Sequence, residues 1–383
     1  IASSLGEGLD ANWDALLHGR SNVDTQSFAP YIVHPLAPLN YDQQIPKKGD
    51  QRQMEPWQRI GTYSAGLALD SAGVKGNTDI LGRMDMIVAA GGGERDLATD
   101  SAILSAMTKG DTPPGFINEQ LMSNLRPTLF LAQLSNLLAG NISIVHGVTG
   151  SSRTFMGEEE SGVDAVRIAL ARIQAGQSDI ALVGAAHNAE RKEMLMLYEF
   201  GGFNLKETFA PVWERGSKNG GKGGFALGSA GAFLVIESAK HAKARGAKPY
   251  AKLSAVEASY SRRKPGDIKA TLKAMWDRIA PEKPAAIVTG MSGAEPATLE
   301  EREFLGAQGL PVRATGTSFG HTVEAAFPLN LGLAALSLAR KELFPPMDGS
   351  GNEVAMSGTP SQIMVISTGH WRGEGVALVE AAE

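Results

Sequence analysis

Residues 147–186 read GVTGSSRTFMGEEESGVDAVRIALARIQAGQSDIALVGAA, and this stretch decides the fold. A glycine-rich turn leads through three consecutive glutamates into residues 163–175, where apolar residues recur with helical spacing. Residues at that spacing form one face of a helix, and Gly176 is a suitable residue to end it. Residues 180–184 are then apolar except for a final glycine, which is typical of a strand buried on both faces.

The same alternation of helix and strand patterns continues on both sides of this stretch. Helical patterns occupy residues 240–245 and 325–340. Further short apolar runs predict buried strands at residues 86–90, 142–145, 285–288 and 363–366. Strands that alternate with helices indicate an α/β layered fold with a mostly parallel sheet.

Two glycine-rich segments resemble each other across the chain. Residues 224–237 and residues 369–380 each run from a glycine turn into an apolar strand that ends in glutamate. Two halves that each end in such a hairpin would suit a duplicated fold. Two unrelated glycine hairpins would give the same pattern.

Composition narrows the class of protein. The chain has 383 residues, a formal net charge of -5 and no cysteine. Its length suits two fused halves or a large α/β unit better than one simple core. The lack of a Lys/Arg tract argues against a nucleic-acid partner. Without cysteine there is no disulfide, no thiolate metal ligand and no cysteine nucleophile.

Sequence signals for cofactors, metals and membranes are weak. Residues 91–93 are consecutive glycines without the spacing of a dinucleotide fingerprint, and no P-loop is present. No pair of histidines has metal-ligand spacing, so we predict neither a cofactor nor a metal. No apolar run reaches the roughly 20 residues of a membrane span. Residues 1–6 look like the middle of an element and not like a signal peptide, so we expect that a few residues precede Ile1. With neither a signal peptide nor a membrane span in the sequence, we expect a cytoplasmic protein.

Residues 141–190 resemble the nucleophile region of the β-ketoacyl-(acyl carrier protein) synthases. The family pattern there is a strand, Gly-x-x-Gly-Pro, a run to Thr-Ala-Cys-(Ala/Ser)-(Ser/Thr)-Gly, a helix and the strand Val-Ala-Gly-Gly. Residues 224–228 resemble the family's Asp-Gly-Phe-Val-x-Gly-Glu hairpin, and residues 241–247 resemble the end of its next helix. Residues 317–326 resemble the Lys-Ser-x-x-Gly-His-x-x-Gly-Ala-Ala motif. The resemblance covers essentially the whole chain.

This resemblance implies a thiolase-like fold of five αβαβα layers, built from two pseudo-symmetric βαβαβαββ halves in one compact unit. The N-terminal half would span residues 1–240 and the C-terminal half residues 241–383. Members of the family are dimers. Because the cysteine is missing, the chain is similar to chain-length factors and to the paired synthases of very-long-chain lipid A acyl synthesis.

The family's nucleophile position matches Glu159, which Glu158 and Glu160 flank. Family members use a thiolate there, because it is strongly nucleophilic and a helix N-terminus lowers its pKa. A carboxylate would form an acyl anhydride, which stores an acyl chain poorly in water. The three carboxylates could also serve only as helix caps.

The other catalytic positions are also altered, except for one histidine. Thr289 stands where the first histidine would be, and Gly316 where the lysine would be. The second histidine is kept as His321, which could also be only a structural hydrogen-bonding residue. The gating phenylalanine of Gly-Phe-Gly-Gly-Thr-Asn would match Trp371.

These substitutions lead to competing functional predictions. The first is a non-condensing partner subunit, with an acyl carrier protein and an active ketosynthase as partners, or a homodimer. The alternatives are a decarboxylase of malonyl-carrier protein, an atypical 3-oxoacyl synthase, or a scaffold. A decarboxylase relative carries glutamine at the nucleophile position, and an ionised glutamate cannot donate the hydrogen bond that the amide donates.

Overall fold

The computed structural model describes residues 1–110 and 112–382, in which strands and helices alternate. The strands are β1 Ala2–Ser3, β2 Gly6–Glu7, β3 Val33–His34, β4 Asp85–Ala89, β5 Ser152–Phe155, β6 Ile180–His187, β7 Leu227–Gly228, β8 Ala230–Glu237, β9 Ala251–Ser259, β10 Ala286–Thr289, β11 Val312–Ala314, β12 Gln362–Thr368 and β13 Glu374–Ala381. The helices are α1 Gly8–Leu17, α2 Lys48–Gln53, α3 Pro56–Ser71, α4 Thr78–Leu81, α5 Leu97–Lys109, α6 Phe116–Asn124, α7 Leu129–Ala132, α8 Leu137–His146, α9 Glu159–Gln174, α10 Lys192–Gly201, α11 Ala239–Ala244, α12 Asp267–Ile279, α13 Ala297–Gln308 and α14 Ala326–Arg340.

Two mixed sheets have the same topology. The first sheet has the order β5-β4-β6-β8-β1, with β2 added at its edge, and the second has the order β11-β10-β12-β13-β9. In each order the first three strands run parallel to one another. Each of the last two strands is antiparallel to the strand listed before it. The two glycine-rich segments supply β8 and β13, which occupy equivalent positions. The predicted duplication is therefore confirmed at the level of topology.

The sheets and helices form five layers. Helices α9 and α14 pack against each other between the two sheets, α3 and α8 cover the outer face of the first sheet, and α12 and α13 cover that of the second. The central core contains apolar residues of both inner helices and both sheets, such as Val166 and Leu333. Separate apolar clusters lie under each outer helix layer. The predicted α/β class with layered architecture is confirmed.

One predicted strand is wrong. Residues 142–145 lie inside helix α8, which buries Leu138, Ile142 and His146 and leaves Ile144 exposed. The buried residues are four apart, which is the spacing of one helix face. Four apolar residues in a row do not distinguish a strand from a buried helix segment. No helix of the described residues is long and apolar enough to cross a bilayer.

The inner layer depends on a close approach at Gly162. This residue lies in the first turns of α9, where an added Cβ would overlap the backbone carbonyl of Glu324 and lie 3.3 Å from Cδ of Pro328. Only glycine lets α9 pass this close to the segment that leads into α14. The contact brings the N-terminal end of α9 next to the loop that carries His321.

Candidate active site

The N-terminus of α9 holds Glu159 in a buried position. Gly157 has a φ of 136°, a conformation that turns the chain from β5 into the helix. The Ser161 hydroxyl donates to the carbonyl of Glu158 at 2.7 Å. Glu159 is the first residue of α9, so its carboxylate lies at the positive end of the helix dipole.

Two further segments bring histidines to the same point. His321 precedes α14, and its backbone N–H donates to the carbonyl of Ala226 at 2.7 Å, while its own carbonyl accepts from Gly228 at 2.9 Å. His370 lies in the tight turn between β12 and β13, which the Gly369 N–H closes by donating to the carbonyl of Gly373 at 2.9 Å.

One oxygen of Glu159 is the centre of this cluster. Its Oε1 lies 2.7 Å from Nε2 of His321 and 2.8 Å from Nδ1 of His370, and it accepts from the backbone N–H of His370 at 3.1 Å. Glu159 and His321 are each 2% exposed, and His370 is 5% exposed. The rings of Tyr198, Phe203 and Phe225 enclose His370. The cluster is thus closed off from solvent by aromatic side chains.

The charges of these groups depend on one another. Burial alone would raise the pKa of Glu159, but the positive charge of His370 and the hydrogen bond from His321 hold that pKa well below its usual range. Burial lowers the pKa of His321. Burial also acts to lower the pKa of His370, but the charge of Glu159 outweighs it and raises the pKa. Glu159 and His370 therefore stabilise each other's charged form, whereas burial favours the neutral form of His321.

The two flanking glutamates have different surroundings. Glu158 Oε1 lies 3.7 Å from Nε2 of His370 and accepts from the Tyr198 hydroxyl at 3.3 Å. Neither carboxyl oxygen of Glu160 has a partner among the described residues. Burial, followed by the charges of Asp164 and Glu374, raises the pKa of Glu160 to about 9, so this side chain is neutral at pH 7. The glutamate triplet is therefore not a simple solvated cap.

The structure places the other predicted site residues differently. The Thr289 hydroxyl donates to buried Glu301, and none of its hydrogen bonds goes to Glu159. Gly316 has no room for a side chain, because a Cβ would lie 2.6 Å from the carbonyl oxygen of Met291. Trp371 is 63% exposed and its ring lies edge-on to Phe203, whereas its neighbour His370 contacts Glu159 directly.

Sequence reasoning missed His370 as a site residue. If Gly369 is aligned with the first glycine of Gly-Phe-Gly-Gly-Thr-Asn, His370 takes the phenylalanine position without a gap. A second buried pair, in which Nδ1 of His187 lies 3.3 Å from Glu324, was also missed. The two residues are far apart in sequence and belong to separate motifs, so no local pattern indicated this pair.

We expect the buried Glu301 to make stability depend on pH. Burial raises its pKa to about 7, whereas in the unfolded chain it is near 4.3. Between these two pKa values Glu301 is protonated in the folded chain and ionised in the unfolded chain. The free energy of unfolding therefore falls as pH rises from about 4.3 to about 7, and above about pH 7 it no longer changes because of this group. Glu301→Gln keeps the acceptor for Thr289 and should remove this loss of about 4 kcal/mol, about 3 kcal/mol of it above pH 5. Urea unfolding of both proteins from pH 5 to 8 measures it, and parallel curves would refute the prediction.

Comparisons with known proteins agree with this architecture. The family model described as "Beta-ketoacyl synthase, N-terminal domain" matches residues 1–242, well over half of the chain. The chain belongs to the beta-ketoacyl synthase family. The resemblance seen in the sequence motifs is thereby confirmed, and this family member lacks cysteine altogether.

The sequence of this family member is similar to those of two curated proteins. The chain is 26% identical over 261 residues to "3-oxoacyl-[acyl-carrier-protein] synthase 2" of Vibrio cholerae, an alignment of 66% of this chain and 59% of that protein. It is 29% identical over 223 residues to the "Tetracenomycin polyketide synthase ketoacyl synthase beta subunit" of Streptomyces glaucescens, covering 55% of this chain and 54% of the relative. The matches thus span less than two thirds of these relatives.

Solved structures extend the similarity in fold to the whole chain. "The ishigamide ketosynthase/chain length factor" superposes with a TM-score of 0.79 at 19% identity and covers 100% of this chain and 97% of that chain. A type II PKS acyl-carrier protein in complex with its ketosynthase contains a chain with a TM-score of 0.72 at 15% identity, covering 99% and 96%. At these identities the likeness concerns the fold alone.

Proposed function

We propose that this chain is a non-condensing subunit of a fatty-acid or polyketide elongation system, which pairs with an active ketosynthase and helps to shape its acyl tunnel. The observation that carries this proposal is the buried ion pair at the nucleophile position. Glu159 is 2% exposed, and its Oε1 is engaged by His321 and by both the ring and the backbone of His370.

Condensation would need this same oxygen to be free. A ketosynthase nucleophile attacks an acyl thioester, and backbone N–H groups stabilise the oxygen that develops negative charge. Here the N–H of His370 donates to Glu159 itself, at 3.1 Å. A low carboxylate pKa also makes for a weak nucleophile and a labile anhydride. In this cluster Glu159 Oε1 is held by hydrogen bonds from His321 and His370 and is not available to attack an acyl thioester.

Decarboxylation of a malonyl group is also disfavoured by the contacts of Glu159. Glu159 engages both the ring and the backbone N–H of His370, so these groups are not free to stabilise the malonyl carboxylate or the enolate that forms from it. Thr289 cannot supply a positive charge in their place, and its hydroxyl is already bonded to Glu301. The geometry thus gives the decarboxylase alternative less support than the partner subunit.

We assign pairing to the edge of the first sheet that is formed by β5. Strand β5 has one neighbour, β4, among the described strands. Two exposed apolar side chains flank it, Ile144 at 72% exposure on α8 and Met156 at 70% after β5. We call β5, Ile144 and Met156 the pairing surface. Natural proteins cover or blunt long open edges, so a partner on this side would complete the sheet.

The names of the similar proteins fit this assignment. One is called a beta subunit, one a ketosynthase/chain length factor, and one structure contains an acyl-carrier protein. We therefore propose a cysteine-containing ketosynthase as the paired subunit and an acyl carrier protein as the docking partner.

A double variant at the pairing surface tests this function. Ile144→Glu with Met156→Glu should weaken the heterodimer with the cysteine-containing ketosynthase of the same organism by about 100-fold, because two charges would have to be buried. Sedimentation velocity of mixtures measures this loss. The matched control is Leu299→Glu, at an exposed apolar position of α13 in the outer layer of the second sheet. Pairing that survives the double variant would contradict the assigned surface, and no pairing by the unchanged chain would contradict the function.

A further inference from the structure

Three side chains at the candidate active site form a ligand set that the sequence did not suggest. Glu159, His321 and His370 each offer one ligand atom, and these atoms all lie within 4.8 Å of one another. The residues come from three segments far apart in the chain, which is why histidine spacing gave no metal signal. We propose that this cluster binds a divalent transition-metal ion, with Zn²⁺ as the probe.

The donor atoms fit such an ion. Two imidazole nitrogens and one carboxylate oxygen form a set that zinc and ferrous ions accept, whereas Mg²⁺ and Ca²⁺ prefer oxygen ligands alone. The present separations from Oε1 are 2.7 Å to His321 and 2.8 Å to His370. Ligands around a tetrahedral zinc ion lie about 3.4 Å apart, so the side chains would need to spread by roughly half an ångström. The two ring nitrogens that face Oε1 would also have to give up their protons, either to solvent or to the other nitrogen of the ring.

An unused carboxylate oxygen points to the same conclusion. Oε2 of Glu159 is buried and has no hydrogen-bond partner among the described residues. A buried charged oxygen without a partner is costly and is usually found paired or bound to a metal. An ion in the cluster would use this oxygen or Oε1 and would remove the cost.

The surrounding charge favours a cation. Glu158, Glu159 and Glu324 lie in this region, and within the described part of the chain none of them is paired with lysine or arginine. Their ion-pair partners are the three imidazoles of His187, His321 and His370. Glu158 is also the most exposed of the three carboxylates, at 33% of its side chain, and lies next to His370. Glu158 adds negative charge beside the site but lies near Nε2 of His370, away from the Nδ1 that faces Glu159, so it is not one of the three ligands.

Two substitutions relative to the family pattern act together here. A glutamate at the nucleophile position and a histidine at the position next to Trp371 add two donors to the histidine that is kept as His321. Either change alone would leave only two ligands. This proposal does not rest on the pairing function, since it concerns metal content in the isolated chain.

Metal titration of the purified full chain tests the proposal. The chain is first stripped of metal with a chelator and is then titrated with Zn²⁺. We expect elemental analysis to find one Zn²⁺ per chain after this titration. Co²⁺ bound in its place should give the intense visible absorption of a tetrahedral site. His370→Ala should weaken Zn²⁺ binding by about 100-fold or more, because a ligand is lost. His241→Ala is the control, since this histidine contacts Glu237 at 2.7 Å in an unrelated His–Glu pair.

A second readout covers a variant that fails to fold. Zn²⁺ should raise the melting temperature of the unchanged chain, and Mg²⁺ at the same concentration should not, because binding to the folded state alone stabilises it. Zinc bound equally by the unchanged chain and His370→Ala, or no zinc-specific rise in melting temperature, would overturn the proposal.

Discussion

Glu159→Ala should lower the free energy of unfolding by about 3–5 kcal/mol at pH 7. The substitution leaves His370 buried without the carboxylate that holds its positive charge, and leaves the Nε2 of His321 without its partner. Removing one member of a buried ion pair is strongly destabilising, because the other member loses its compensation. Urea unfolding followed by circular dichroism measures the change.

The adjacent glutamate provides a matched control. Glu160 lies in the same first turn of α9, but its carboxyl oxygens have no described partner and its pKa is raised to about 9. Glu160→Gln should therefore raise stability at pH 7, by as much as about 4 kcal/mol, because unfolded Glu160 is ionised and must take up a proton on folding, whereas glutamine needs none. Similar losses from both variants would contradict the view that Glu159 alone anchors the cluster.

Gly162→Ala should destabilise the fold by about 3 kcal/mol, at the upper end of typical overpacking costs. The new methyl group would overlap the backbone carbonyl of Glu324 and press on Pro328. Backbone atoms cannot move aside as a side-chain tip can, so α9 and the segment before α14 would have to separate. Thermal unfolding gives the size of the loss, and the spread of these elements should also loosen the Glu159 cluster.

A second helical glycine separates crowding from helix propensity. Gly306 lies within α13, and a Cβ built there has no atom within 4 Å. Gly306→Ala should raise stability by about 0.5–1 kcal/mol, because alanine is the better helix former. If Gly162→Ala were equally stabilising, the close approach of α9 to Glu324 would not constrain the fold.

The fold was largely predictable because its signals are local. Buried strands such as β6 and β12 are short apolar runs, and the α9 pattern has clear helical spacing. The prediction failed at α8, where residues 142–145 are apolar like a strand but belong to a helix with one exposed side. Whether such a segment forms a strand or a helix depends on which neighbours pack against it. Four consecutive apolar residues fit either structure, so their pattern alone does not distinguish the two.

The candidate site was predictable only in part. Motif spacing identified Glu159 and His321, which the structure brings into contact. His370 was assigned to no role, because motif alignment at a glycine-rich turn can shift by one residue and so pointed to Trp371. The partner of Thr289, Glu301, was also unforeseen, since the hydrogen bond joins a strand end to a helix twelve residues later.

We expect this family member neither to condense nor to decarboxylate by itself. The most direct test mixes the purified chain with malonyl- and acyl-loaded carrier protein and follows carbon dioxide and 3-ketoacyl product by mass spectrometry. We expect neither product from the chain alone, because Glu159 is held in a closed ion pair. Release of carbon dioxide without condensation would show a decarboxylase, and formation of 3-ketoacyl product would contradict the account outright.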